Sequence, residues 1–235
     1  MLIIFILGVM GVMVVPGIKG LSSNGDVVEQ YTAVLSPDGT LVETFTYNLK
    51  STDTRMLYRY WEEELQYNPS GVGVDNIVLM SIEDPAVSVS YIRDYRGFVT
   101  IIDRSVQDQN TVDTIMGLAY RNEAGCYKRD YFYPGRYTIT YTWKLNFKID
   151  SDGATDHLNL MLADQHIPYE NVRIVLEDAA YLVEVFQHPP SLTRSVEGNN
   201  IVITGSSGMH ELLEIEMLMK PVVKVEVRSD EKVAA

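Results

Sequence analysis

His210-Glu211-Leu212-Leu213-Glu214 carries the residue types of a helical zinc site, in which two histidines one turn apart hold the metal and a glutamate acts as base. Here a glutamate stands where the second histidine belongs. Leu213, Ile215, Met217 and Met219 alternate with polar neighbours, which predicts a strand and not a helix. Gly205-Ser206-Ser207-Gly208 lacks the Gly-x-Ser-x-Gly spacing at a strand-to-helix turn that exposes a nucleophile, and it reads as a hairpin loop. His157, His166, His188 and His210 stand in separate segments with no metal-ligand spacing.

Asp150-Ser151-Asp152-Gly153-Ala154-Thr155-Asp156 has a different chemistry open to it, because hard cations take several oxygens from one turn and Asp-x-Asp-Gly begins many calcium loops. Asp150, Asp152 and Asp156 are therefore the candidate metal ligands. No glutamate follows at the twelfth position, and an exposed turn of an acidic chain has the same composition. Aromatic chemistry concentrates in Tyr127-Lys128-Arg129-Asp130-Tyr131-Phe132-Tyr133-Pro134-Gly135. Aromatic faces beside charges can hold a sugar or a protein partner, which makes Tyr127, Tyr131, Phe132 and Tyr133 candidate contact residues. The competing reading is a hydrophobic plug at the end of a sandwich. Tyr58-Arg59-Tyr60-Trp61-Glu62-Glu63-Glu64 is similar in kind, and its acidic tail reads as a solvated loop rather than as paired catalytic carboxylates, which need a defined separation across a cleft.

The elements that must position these residues are strands. Val27–Leu35 and Leu41–Leu49 flank Ser36-Pro37-Asp38-Gly39-Thr40, whose Pro and Gly predict a hairpin turn. Arg55–Trp61, Val72–Ile82, Ala86–Ile92, Gly97–Asp103 and Thr111–Arg121 repeat the pattern of Val, Ile, Tyr or Met bounded by turn residues. In Tyr137–Lys148 the residues Tyr137, Ile139, Tyr141, Trp143, Leu145 and Phe147 alternate strictly with polar ones, so Trp143 is placed on a single inward face. His157–Ala163, Asn171–Glu177, Tyr181–Phe186, Asn200–Gly205, Glu211–Met219 and Val222–Arg228 complete the series. Short strands at close intervals without a helical period predict an all-β fold, an antiparallel, immunoglobulin-like β-sandwich over residues 25–228. Two packed β subdomains divided near 150–156 are the alternative to one domain, with 229–235 as a tail.

The 235 residues carry 32 acidic and 19 basic side chains, a net charge of −13, which repels phosphate backbones and argues against nucleic-acid binding. Cys126 is the single cysteine, so no intramolecular disulfide is available and the fold is held by its core. Tyrosine dominates the aromatics, 15 against 6 Phe and 2 Trp, and suits half-buried strands where the ring packs and the hydroxyl stays wet. Residues 1–16 contain no charged or polar side chain before Pro16-Gly17 breaks the run. That is the pattern of an export signal within residues 1–24, either cleaved or retained as an anchor through residues 1–18.

Val28-Glu29-Gln30-Tyr31 through Asp38-Gly39-Thr40-Leu41-Val42-Glu43-Thr44-Phe45-Thr46-Tyr47 gives a strand, an Asp-Gly turn and a second strand with Val-x-Glu-like and aromatic positions. With the Tyr58-Arg59-Tyr60-Trp61 segment, Pro134-Gly135-Arg136-Tyr137-Thr138-Ile139-Thr140-Tyr141 and Ile167-Pro168-Tyr169-Glu170-Asn171-Val172-Arg173-Ile174, this order resembles domain-of-unknown-function family 2207. That family is the extracytoplasmic N-terminal part of predicted bacterial and archaeal membrane proteins. The resemblance implies an extracytoplasmic β domain at a membrane surface, with no catalytic residues to carry over.

The expectation is a non-catalytic module, secreted or membrane-anchored, that contacts protein or cell-envelope components and needs no cofactor. A secreted glycan-active enzyme and a calcium-dependent adhesive or carbohydrate-binding domain are the alternatives. Fusing residues 1–24 to a reporter active only outside the cytoplasm is expected to export it. A reporter that stays in the cytoplasm refutes the export reading.

Overall fold

Pro37 and Gly39 reverse the chain between β1 (Val27–Leu35) and β2 (Thr40–Leu49). Gly39 has φ +82°, and a Cβ there would lie 2.7 Å from the Leu145 carbonyl oxygen, so the turn demands glycine twice over. The computed structural model describes residues 25–71, 76–84, 88–102, 108–146, 150–151 and 153–220. The expected export segment, the Val222–Arg228 strand, the 229–235 tail and the candidate ligand Asp152 lie outside them.

The chain continues through β3 (Met56–Tyr60), β4 (Leu65–Tyr67), β5 (Ile77–Glu83), β6 (Val89–Arg93), β7 (Val99–Ile101), α1 (Gln109–Leu118), β8 (Glu123–Tyr127) and β9 (Gly135–Leu145). After these come β10 (Asp150–Ser151), β11 (Asp156–Ala163), β12 (Tyr169–Leu176), β13 (Leu182–His188), β14 (Thr193–Glu197), β15 (Asn200–Ser207) and β16 (Leu213–Met219). The fold is all-β and sandwich-like. An eight-stranded sheet has the order β14-β15-β12-β1-β2-β9-β5-β4, and two four-stranded sheets have the orders β3-β8-β6-β7 and β10-β11-β16-β13. Most ladders are antiparallel, but β1 pairs with β12 and β4 with β5 in parallel. Strands from before and after 150–156 thus share the large sheet.

Alternation places the core. Leu41, Glu43, Phe45, Tyr47 and Leu49 of β2 point inward beside Ile139, Tyr141, Trp143 and Leu145 of β9, and Thr44 and Thr140 bond across the outer face at 3.0 Å. One core cluster joins the apolar ones among these to Leu160, Leu213, Ile215 and Met217 of one small sheet and to Leu57, Ala124 and Cys126 of the other. A second, smaller cluster of Met56, Tyr91, Ile115, Ala119 and Tyr127 seats the helix.

That helix corrects one expectation, because Thr111–Arg121 is not a strand. Asp108 caps α1, its carboxylate accepting from the Asn110 backbone N–H at 3.2 Å and from the Thr111 hydroxyl at 3.1 Å. Ile115, Leu118 and Ala119 then fall at i, i+3 and i+4 against the second cluster, a narrow stripe that a short window does not distinguish from a strand. Gly205–Ser207, expected as a hairpin loop, instead finishes β15, and the reversal to β16 begins at Gly208.

Trp143 has no exposed surface, stacks on Tyr141 at 5.2 Å and meets Trp61 edge-on at 5.4 Å. Trp143→Ala is expected to cost about 3–5 kcal/mol, the usual loss for a buried aromatic. Thr142→Ala, on the opposite face of β9, is expected to cost within about 1 kcal/mol. Equal losses in urea unfolding would refute the inward register.

Candidate functional site

Two charges stand in inward registers that are otherwise apolar. Glu43 falls between Leu41 and Phe45 with no exposure, and Arg59 falls between Leu57 and Trp61 with 7%. Charges withdrawn from water survive only when paired and hydrogen-bonded, and these two find each other. Arg59 Nε lies 3.3 Å from Glu43 Oε2, Trp143 Nε1 donates to the same oxygen at 2.8 Å, and the Tyr31 hydroxyl donates to Oε1 at 2.6 Å. Burial first, then the charge of Glu43, pushes the Tyr31 hydroxyl well above its ordinary range and keeps it a donor. The guanidinium also lies 3.8 Å over the Trp61 ring, and its terminal nitrogens donate to the carbonyls of Tyr60 and, at 3.2 Å, Met161.

Above this pair the three sheets leave a cleft of about 250 Å³. Val28, Tyr47 and Tyr169 come from the large sheet, Tyr58, Arg59 and Tyr60 from β3, and Leu162 and Ala163 from β11. Tyr120, Glu62 and the Asp164–Ile167 loop close the rest. Tyr120 packs against Tyr58 at 6.4 Å and Tyr60 at 6.3 Å between ring centroids, so three tyrosines form one wall. Gly125 permits this wall, since a Cβ there would stand 2.8 Å from Tyr58 Cβ and 2.5 Å from the Leu57 carbonyl oxygen. Tyr60 is exposed while Arg59 is buried, so the cleft runs from solvent down to the ion pair.

His166 lines the same cleft and packs against Tyr169 at 4.4 Å between ring centroids, the rings tilted by 42°. Its Nδ1 faces the Ile167 carbonyl at 2.6 Å and its Nε2 faces the Glu211 carbonyl at 2.7 Å. The Ser207 hydroxyl stands 3.3 Å from the same Nε2. The ring therefore ties two loops together.

The candidates from the sequence lie elsewhere. Asp150 and Asp156 sit on the paired strands β10 and β11, and Asp156 is buried. Among the described residues there is no group of three or more His, Cys, Asp or Glu side chains placed to hold a metal. Tyr127 and Phe132 are buried, Phe132 packing edge-on to Tyr137 at 5.0 Å. Tyr131 is half-buried under Arg55, 4.3 Å from its ring centroid, and Tyr133 is exposed. Lys128 lies 5.7 Å from the Phe132 ring and 5.8 Å from that of Tyr133. The cleft draws instead on Tyr58 and Tyr60 of the second aromatic segment. The readable sign of its base was a charged residue inside an alternating inward register, as at Glu43.

Another buried carboxylate, Glu123, is not among the residues lining the cleft. The Tyr91 hydroxyl donates to its Oε1, and the Tyr120 backbone N–H donates to Oε2 at 2.9 Å. Burial outweighs these bonds and raises the carboxyl from 4.5 to about 7.

Residues 28–219 match the family described as Predicted membrane protein (DUF2207) N-terminal domain, and the chain belongs to it. None of the curated proteins compared with the chain matches it. Among solved structures, an M1 zinc metallopeptidase mutant from Deinococcus radiodurans bound to a Tyr-Ser-Ala substrate is similar with TM-score 0.41 and 10% identity, over 82% of this chain and 42% of its own. A two-domain M1 zinc metallopeptidase mutant bound to L-tryptophan is similar with TM-score 0.41 and 10% identity, over 84% of this chain and 43% of its own. The chain thus spans about two fifths of the length of these enzymes, and a likeness so distant transfers neither fold nor activity.

An acid whose folded-state value is raised contributes stability that is complete below its unfolded value and is lost as pH rises through the folded one. For Glu123 that window runs from 4.5 to about 7. Stability is expected to fall across it by up to about 3 kcal/mol, at 1.36 kcal/mol per pH unit, and then to level off. In Glu123→Gln this decline should vanish from chemical unfolding midpoints measured at each pH. An unchanged profile in the variant would refute the raised value of Glu123.

Proposed function

We propose that this member of the family is an extracytoplasmic, non-catalytic β module whose cleft at the meeting of the three sheets contacts a protein or cell-envelope component. The observation that carries the reading is the character of the cleft. Its walls are aromatic faces, and its polar base is already committed: Arg59 is held by Glu43 and two carbonyls, and both ring nitrogens of His166 face backbone carbonyls. Such a site offers surface for binding and rigid positioning instead of a free nucleophile or base. The apolar run over residues 1–16 supports placement outside the cytoplasm, and membership of a family of predicted membrane proteins supports a membrane location. Among the described residues no helix is long and apolar enough to cross a membrane.

A glycan-active enzyme has one observation in its favour, since Glu62 and Asp164 both line the cleft. Glycoside hydrolysis asks for one carboxyl kept protonated by an apolar pocket beside an ionised partner. Glu62 is exposed and Asp164 is half-exposed, which leaves both in contact with water. The binding reading is favoured on that ground.

The test is a photoreactive residue placed at Tyr60 in cells, compared with one at Phe98, which is 65% exposed and does not line the cleft. Discrete adducts with envelope-fraction components are expected from Tyr60 and none from Phe98. Equal adducts from both positions, or none from Tyr60, would overturn the reading.

A further inference from the structure

We propose that the cleft takes a cationic side chain, the ammonium of a lysine presented by a basic segment of a partner protein. This rests on the cleft being the contact site and adds the chemistry of what enters it. Tyr58, Tyr60 and Tyr120 present a wall of rings, tilted 56° and 75° to one another about Tyr120. The π-face of an aromatic ring is negative and attracts cations, most strongly where water is partly excluded. An alkyl stem below the ammonium would lie along Val28, Leu162 and Ala163, the apolar part of the lining.

Charge at the mouth has the matching sign. Glu62 and Asp164 line the opening and Glu63 lies close enough to act on the Tyr60 hydroxyl, which burial first and then Glu62, Asp164 and Glu63 raise above its ordinary value. Among the described residues none of these three carboxylates is in an ion pair. The one guanidinium in the lining, Arg59, is balanced by Glu43. An anion entering here would meet uncompensated carboxylates, whereas an ammonium would meet two of them and three rings. The chain as a whole, at −13, steers cations toward itself and makes the encounter faster at low salt.

The experiment titrates the full chain in detergent with a fluorescent oligolysine peptide and with an oligoglutamate peptide of equal length. Oligolysine is expected to bind and oligoglutamate not to bind. Tyr60→Leu should weaken oligolysine about tenfold while Tyr60→Phe retains binding, because the ring and not the hydroxyl is used. Glu62→Gln with Asp164→Asn should weaken it by a similar factor. Glu83→Gln with Asp113→Asn changes the net charge equally at exposed positions off the cleft and should leave binding nearly unchanged. Thermal midpoints of all variants serve as the fold control. Equal weakening by the remote pair, or indifference to Tyr60→Leu, would overturn the proposal as non-specific attraction. If the Tyr60 photoadducts form and oligolysine is indifferent to the cleft, only this inference fails. If those adducts are absent, the contact reading fails with it.

Discussion

Everything in the arrangement of the three sheets converges on one guanidinium. Arg59 belongs to β3, its Nε faces Glu43 of the large sheet, and a terminal nitrogen reaches the Met161 carbonyl on β11 of the third. A buried charge left alone costs several kcal/mol, and loss of one partner from a buried pair typically costs about 3–5 kcal/mol. The pair contributes little over a well-packed apolar substitute, but it permits few alternatives. Hydrophobic contacts between sheets tolerate sliding, whereas a carboxylate that must collect the Tyr31 hydroxyl, the Trp143 indole and the Arg59 Nε–H does not.

The cleft follows from that constraint. With Arg59 drawn into the core, the alternation of β3 leaves Tyr58 and Tyr60 together on its other side, where Tyr120 meets them. The short connection from Ala163 to Tyr169 is fastened by His166 and completes the rim. A rigid charged base thus supports an exposed aromatic rim, the division of labour that lets a binding surface be precise without being buried.

Much of the fold was legible because period-two patterns declare themselves where one face is dry and the other wet. β2 and β9 show this over their whole length, and the inward position of Trp143 could be read from its neighbours alone. β8 was missed for the converse reason. Ala124 and Cys126 face the main core, Tyr127 faces the second cluster and Glu123 bonds to Tyr91 within it, so both faces are covered and no alternation remains. The cleft was not legible because residues 58–62, 120 and 162–169 meet only through the ladders, and periodicity names a face without naming a neighbour. The aromatic run at Tyr127–Tyr133 drew attention by density, yet two of its four rings serve the interior.

The parallel ladder of β1 and β12 sets a timetable. Val28 lies opposite Tyr169 and Leu35 opposite Leu176, partners about 140 residues apart, which a ribosome adding roughly 5–20 residues per second takes on the order of ten seconds to supply. During that interval the β1 edge of the β1–β2 hairpin stays open, and the β2 edge too until β9 is made, with the inner Tyr31 and Phe45 uncovered, a template for pairing with another chain. The middle of the finished sheet is therefore among the last places to close. A cell making this protein must keep its first hairpin solitary until its twelfth strand arrives.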